Sequence, residues 1–169
     1  MRKVSISGSN AENFSEIKIH CFVFKDSMSF CSNSLENLAE KHRERVGKFD
    51  ILKSHDICKT KSGHFSQAKY DILSSGKSPF PYDYVTDLKV LFEKQLPSQQ
   101  AFYNKLKDKH LSDEDYAWAQ DIWREFECET FGDYLAVYLK LDTLLLADVM
   151  RDFSNKCGKN FGLYPEHFR

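Results

Sequence analysis

Apolar and polar residues alternate from position 14 and give way to a mostly apolar run, Phe22-Val23-Phe24, which ends at Asp26 and Ser27. That pattern over 14–25 predicts a strand with one buried face, or two short strands. The period then changes. Leu35, Leu38, Ala39 and Val46 recur at helical spacing over 34–46, with Ser34 at the N-cap position. Residues 53–77 set Lys53, Lys59, Lys61, Lys69 and Lys77 against Asp56 and Asp71, with Ser and Gly between them, and are expected to be mobile or weakly helical. Pro79 and Pro81 bracket Phe80, so 78–82 is extended or turning.

A short helix is expected over 86–94 and another over 99–108, the latter opened by Pro97 and Ser98. Ser112 is the candidate N-cap of a further helix. Its acidic start, Asp113-Glu114-Asp115, suits the positive end of a helix dipole. Tyr116, Ala119, Ile122, Trp123 and Phe126 follow at core spacing. The last long helix spans 131–157, with Gly158 and Gly162 as stops. The elements add up to an α-rich α/β fold, one or two N-terminal strands followed by several helices, in a single domain over 1–169. Residues 1–13, with their polar start, are expected to be disordered.

Composition narrows the function. With 169 residues, 41% of them hydrophobic, the chain can bury a core. Its 24 basic and 25 acidic residues leave a net charge of −1, unlike a histone-like nucleic-acid coat. No apolar run is long enough for a transmembrane helix, and 1–9 lack the apolar region of a secretory signal. The five cysteines, Cys21, Cys31, Cys58, Cys128 and Cys157, form no CxxC pair and no zinc spacing, which suits reduced thiols in an intracellular protein. The histidines show neither HxH nor HExxH, and there is no GxGxxG, P-loop or GxSxG.

Three places can carry chemistry. On the last helix Tyr138 and Asp142 are four apart and share a face, drawn here with Phe131, Leu135, Leu145 and Val149. A carboxylate on an apolar stripe needs a partner. A divalent metal would serve, with the phenol holding its water. So would a simple hydrogen bond. Lys77, beside the rigid Pro79-Phe80-Pro81-Tyr82 turn, could set an ammonium and a phenol against phosphates, with rings to stack bases, or the turn could pack its rings on the core. Ser27, after the strand, could donate to a phosphate, or the Asp26-Ser27 pair could cap the next turn.

Taken in order, the motifs resemble the protein-primed family B DNA polymerases of viruses, organellar plasmids and Maverick/Polinton transposons. They are Phe24-x-Asp26-Ser27, Ser34-Leu35-x-x-Leu38, Lys77 before Phe80-Pro81-Tyr82-Asp83-Tyr84, Leu96-Pro97 with Phe102-Tyr103, Asp115-Tyr116, Tyr138-x-x-x-Asp142-x-Leu144-Leu145-Leu146-Ala147-Asp148, and Phe161-Gly162-Leu163-x-Pro165-x-His167. The similarity runs from about residue 14 to the end. It implies the C-terminal part of a 3′–5′ exonuclease domain, a partial ribonuclease H-like fold. It also implies roles: Asp142 as a metal ligand for Mg²⁺ or Mn²⁺, Tyr138 orienting the attacking water, Lys77 assisting beside the scissile phosphate, and Tyr82 touching the single strand. Ser27 matches the Ser of the single-strand-binding motif, which Ser34-Leu35 also spells. The implied partners are the single-stranded 3′ end of DNA and, for the whole polymerase, a terminal protein primer.

Departures accompany the likeness. Met28 stands where the motif usually has Leu, and Lys77-Ser78 where it often has Lys-Gly. The family's Asp-x-Glu does not occur, and Phe49-Asp50 lacks the Asn of Asn-x-x-x-Phe-Asp. The chain is therefore expected to be an interior piece of such a polymerase, with one of four metal-binding carboxylates and no nuclease activity alone. The competing readings are a non-catalytic helical protein-interaction module and a simple single-strand DNA binder that uses Lys77, Tyr82 and the Lys-rich 53–77 segment.

Overall fold

Alternating residues at the start of the chain form a three-stranded antiparallel sheet in the order β1-β2-β3: β1 (Val4–Gly8), β2 (Phe14–Ile19) and β3 (Phe22–Lys25). The computed structural model describes residues 4–8, 14–106 and 108–165. β2 and β3 pair with Ile19 opposite Phe22 and Ile17 opposite Phe24. Their two-residue connection is turned by His20, whose φ of 58° supplies the left-handed conformation that tight hairpins use. The strands number three rather than one or two, because Val4–Gly8 pairs with β2. The disorder expected over 1–13 thus does not extend to those five residues, and the rest of that stretch lies outside the described ones. The face expected to be buried is also open, since Phe22, Val23 and Phe24 are all exposed.

The chain gathers into two compact units, 1–34 with 152–169, and 35–151. The second holds the core. Its helices are α1 (Leu35–Val46), α2 (Asp50–Ser54), α3 (Gln67–Ser74), α4 (Asp113–Glu125) and α5 (Phe131–Phe161), the last running on beyond the unit. α4 begins as its sequence predicts: the Ser112 hydroxyl accepts from the Asp115 N–H at 3.1 Å, and three acids fill the first turn. α5 begins on a reciprocal cap. The Asp133 carboxylate accepts from the Thr130 N–H at 2.8 Å, and the Thr130 hydroxyl accepts from the Asp133 N–H at 3.3 Å. The helix passes Gly158 and stops at Gly162, which has a φ of 66°. A glycine within a helix costs about 1 kcal/mol, too little to break a long one.

The segment 53–77, expected to be mobile or weakly helical, folds instead. α3 is capped by the Ser66 hydroxyl at 3.3 Å, and Leu52, Cys58, Tyr70 and Leu73 are buried. Its lysines are held locally. Lys59 pairs with Asp56, Lys69 donates to the Lys59 carbonyl, and Lys53 lies over the rings of Phe65 and Tyr70. The helices expected over 86–94 and 99–108 shorten to 3-10 turns, Leu88–Phe92 and Gln99–Phe102. These lack the apolar stripe of a longer helix, and Leu88 and Phe92 stand exposed. Among the described residues no helix is long and apolar enough to cross a membrane.

One carboxylate ties this unit together. Asp148 on α5 is fully buried and accepts from the Ile51 and Leu52 N–H groups, both at 2.9 Å. Those are unpaired donors of the first turn of α2, whose own cap residue, Phe49, offers no side-chain acceptor. The Arg151 guanidinium donates to Asp148 at 2.8 Å and lies 3.5 Å from Asp50. The Phe49 N–H donates to the Tyr70 hydroxyl at 3.0 Å, so the entry to α2 is bonded to both α3 and α5. Replacing Asp148 by Ala strands two buried N–H groups, so Asp148→Ala should cost about 3 kcal/mol in urea unfolding of the whole chain. Arg151→Ala, at an exposed guanidinium, should cost about 1 kcal/mol or less.

Candidate functional site

Helical spacing on α5 decides which residues can meet. Tyr134, Tyr138 and Asp142 are successive steps of four, one above another along the helix. The buried arc is centred on Tyr134, Tyr138, Leu141, Leu145 and Asp148. It is rotated from the face drawn from the sequence, which put Leu135 and Asp142 at its centre. Both lie at its margin, partly exposed. The acid at the heart of the stripe is Asp148, and a reading that looks for an isolated carboxylate on an apolar face had the signal to find it.

Against that ladder lies the segment 77–82. Gly76, at a φ of 149° that other residues rarely adopt, turns the chain out of α3 into it. The Tyr134 hydroxyl donates to the Pro79 carbonyl at 2.7 Å. The Phe80 ring stacks on Tyr138 at 4.7 Å and on Phe131 at 5.6 Å between centroids. Pro79 and Pro81 restrict the backbone on either side, so the ring contact and the carbonyl bond fix the whole turn.

The docked turn brings together four residues singled out from the sequence. The Lys77 ammonium lies 3.2 Å from Oδ2 of Asp142 and 5.7 Å from the centre of the Tyr138 ring. The hydroxyls of Tyr82 and Tyr138 share a hydrogen bond. Oδ1 of Asp142 is buried and has no hydrogen-bond partner, and the buried Ser78 hydroxyl likewise makes no well-formed bond. Burial first, then the Tyr82 hydroxyl and the Asp142 carboxylate, hold the Tyr138 phenol far above its ordinary pKa, so it stays protonated. The Tyr82 ring, by contrast, is 58% exposed at the mouth of the cluster.

The other sequence-predicted residues lie elsewhere. Ser27 opens a 3-10 turn, Ser27–Ser29, in the unit of the sheet. Asp26 caps that turn by accepting from the Met28 N–H at 3.0 Å. Ser34 is exposed, just before α1, and Leu35 packs its side chain on the core. Neither Ser34 nor Leu35 points to a strand-binding groove in this geometry.

As a metal centre the cluster is incomplete. A hard dication takes several oxygen ligands. Among the described residues no group of three or more His, Cys, Asp or Glu side chains converges on one point. Asp142 can offer one free oxygen, and Lys77 already holds the other. The residues present therefore do not fit Mg²⁺ or Mn²⁺ on their own.

Tyr134→Phe keeps the stack and strands the Pro79 carbonyl, so it should cost about 1–2 kcal/mol in urea unfolding. The buried thiols are poor nucleophiles: burial pushes both Cys58 and Cys128 up to about 11. At pH 8 they should stay largely protonated and label with a thiol reagent only as the protein unfolds, while the exposed Cys21 labels in the native state. No protein-family model matches the chain, no curated protein is similar to it, and no solved structure matches its fold.

Proposed function

We propose that the chain is part of the 3′–5′ exonuclease region of a protein-primed family B DNA polymerase, and that Lys77, Tyr82, Tyr138 and Asp142 form the part of its site that meets a single-stranded 3′ end. One observation carries the reading. The residues matched to that family's Lys, Tyr, Tyr and Asp come from two segments distant in sequence and lie in mutual contact. Lys77 is a point charge suited to a phosphate, and the exposed Tyr82 ring offers a face on which a base can stack. The protonated Tyr138 phenol can donate to, or hold, a water next to Asp142. Mg²⁺ or Mn²⁺ would polarise that water once further carboxylates complete the site, so the chain alone is a strand-binding half-site that does not cut.

A second reading has its own support. Phe22, Val23, Phe24, Phe161 and Leu163 are all exposed in the unit of the sheet, as a non-catalytic protein-interaction module would require.

The test of the first reading is binding of a fluorescent oligo(dT) by the intact chain at several salt concentrations. Affinity should fall with salt, with a log–log slope of about −0.7 for each phosphate neutralised. Tyr82→Ala should weaken it by roughly five- to a hundredfold, the range that one base stack provides. Absence of binding at low salt, or binding indifferent to Tyr82→Ala, would contradict the assignment. Mn²⁺-dependent shortening of the oligonucleotide by the purified chain would contradict the half-site.

A further inference from the structure

The cation at Asp142 in this fold is an ammonium, and that has a consequence for metal loading. Asp142 is partly buried beside an aromatic ladder, where an unpaired carboxylate is costly. Lys77 supplies the compensating charge at Oδ2, 3.2 Å away, and leaves Oδ1 buried without a partner. The Lys77 ion pair is itself sheltered, with the Tyr138 ring face 5.7 Å from the ammonium. A divalent cation that takes Oδ1 would sit beside this ammonium, and the two positive charges repel at short range.

We infer that Lys77 is a built-in counter-ion that keeps a divalent cation off Asp142 until a phosphate of a bound strand draws the ammonium away. The inference rests on the functional reading above for the identity of the phosphate. A lysine side chain is suited to such a move, because four flexible carbons let its charge pass between the carboxylate and a phosphate oxygen without moving the docked turn. Strand and metal then bind with positive coupling. By linkage the strand tightens the metal as much as the metal tightens the strand. The device would spare the site from metal-driven chemistry while no strand is present.

The experiment measures free Mn²⁺ by electron paramagnetic resonance during titration of the intact chain. Wild type is compared with Lys77→Met, Lys77→Arg, Asp142→Asn and Lys77→Met/Asp142→Asn, each checked for a native melting curve. Lys77→Met should bind Mn²⁺ about fivefold more tightly than wild type, the fold-change that matches loss of a competing ion pair of about 1 kcal/mol. Lys77→Arg keeps the charge and should stay at the wild-type level. The gain should vanish in the double variant. Oligo(dT) should tighten Mn²⁺ binding by wild type, beyond what the same oligonucleotide binds with Asp142→Asn, and should add little to Lys77→Met.

Equal Mn²⁺ affinity in wild type and Lys77→Met, or a gain that survives loss of Asp142, overturns the inference. The comparison without nucleic acid is independent of strand binding. A chain that binds no oligo(dT) would remove the functional reading and leave the counter-ion result standing. Unchanged Mn²⁺ affinity in Lys77→Met would do the reverse.

Discussion

A single turn of chain laid along one helix holds the site together. Pro79-Phe80-Pro81 docks on the ladder of residues four apart on α5, through the Tyr134 hydroxyl on the Pro79 carbonyl and the Phe80 ring on Tyr138 and Phe131. Lys77 precedes this turn and Tyr82 follows it, so one docking event delivers both to the helix. Neither contact with the helix is strong alone. Together, between two residues of fixed φ, they leave the turn few other conformations. The ion pair of Lys77 with Asp142 and the hydrogen bond of Tyr82 with Tyr138 are consequences of that docking, not its cause.

Two acids on the same helix show how environment sets role. Asp148 is sealed from solvent and satisfied three times over, by two N–H groups of α2 and the Arg151 guanidinium. A carboxylate so fully occupied is a structural cap with no capacity left for a ligand. Asp142, less than two turns earlier, has one oxygen paired with a movable ammonium and the other unpaired. Chemistry belongs to the acid whose valence is not filled by the fold.

The features legible in the sequence are those with local causes. Ser112 and the acids after it mark the start of α4, and the alternation over 14–25 marks the β2–β3 hairpin. The pairing of Tyr138 with Asp142 and the turn at Pro79-Phe80-Pro81 were also legible, because helical spacing and proline are local rules. The rest depends on partners distant in the chain. α2 and α3 sit in a Lys-rich stretch and are held by Asp148, Tyr70 and ring faces that no local pattern shows. β1 exists through pairing with β2. The orientation of α5 turns on which residues its neighbours cover, and that moved Asp142 from the centre of the buried stripe to its edge. Ser27 and Ser34 matched a motif by spelling, and their surroundings here are a capped turn and an exposed helix start.

The claim that the turn and the helix build one site is tested most directly by a double-mutant cycle across them. Urea unfolding of wild type, Lys77→Met, Asp142→Asn and the double variant gives the coupling free energy between the two side chains. Residues in contact across the docked turn should couple by about 1 kcal/mol, the upper end for a partly exposed pair. Effects that add within error would mean that Lys77 and Asp142 do not meet, and the site would have no basis.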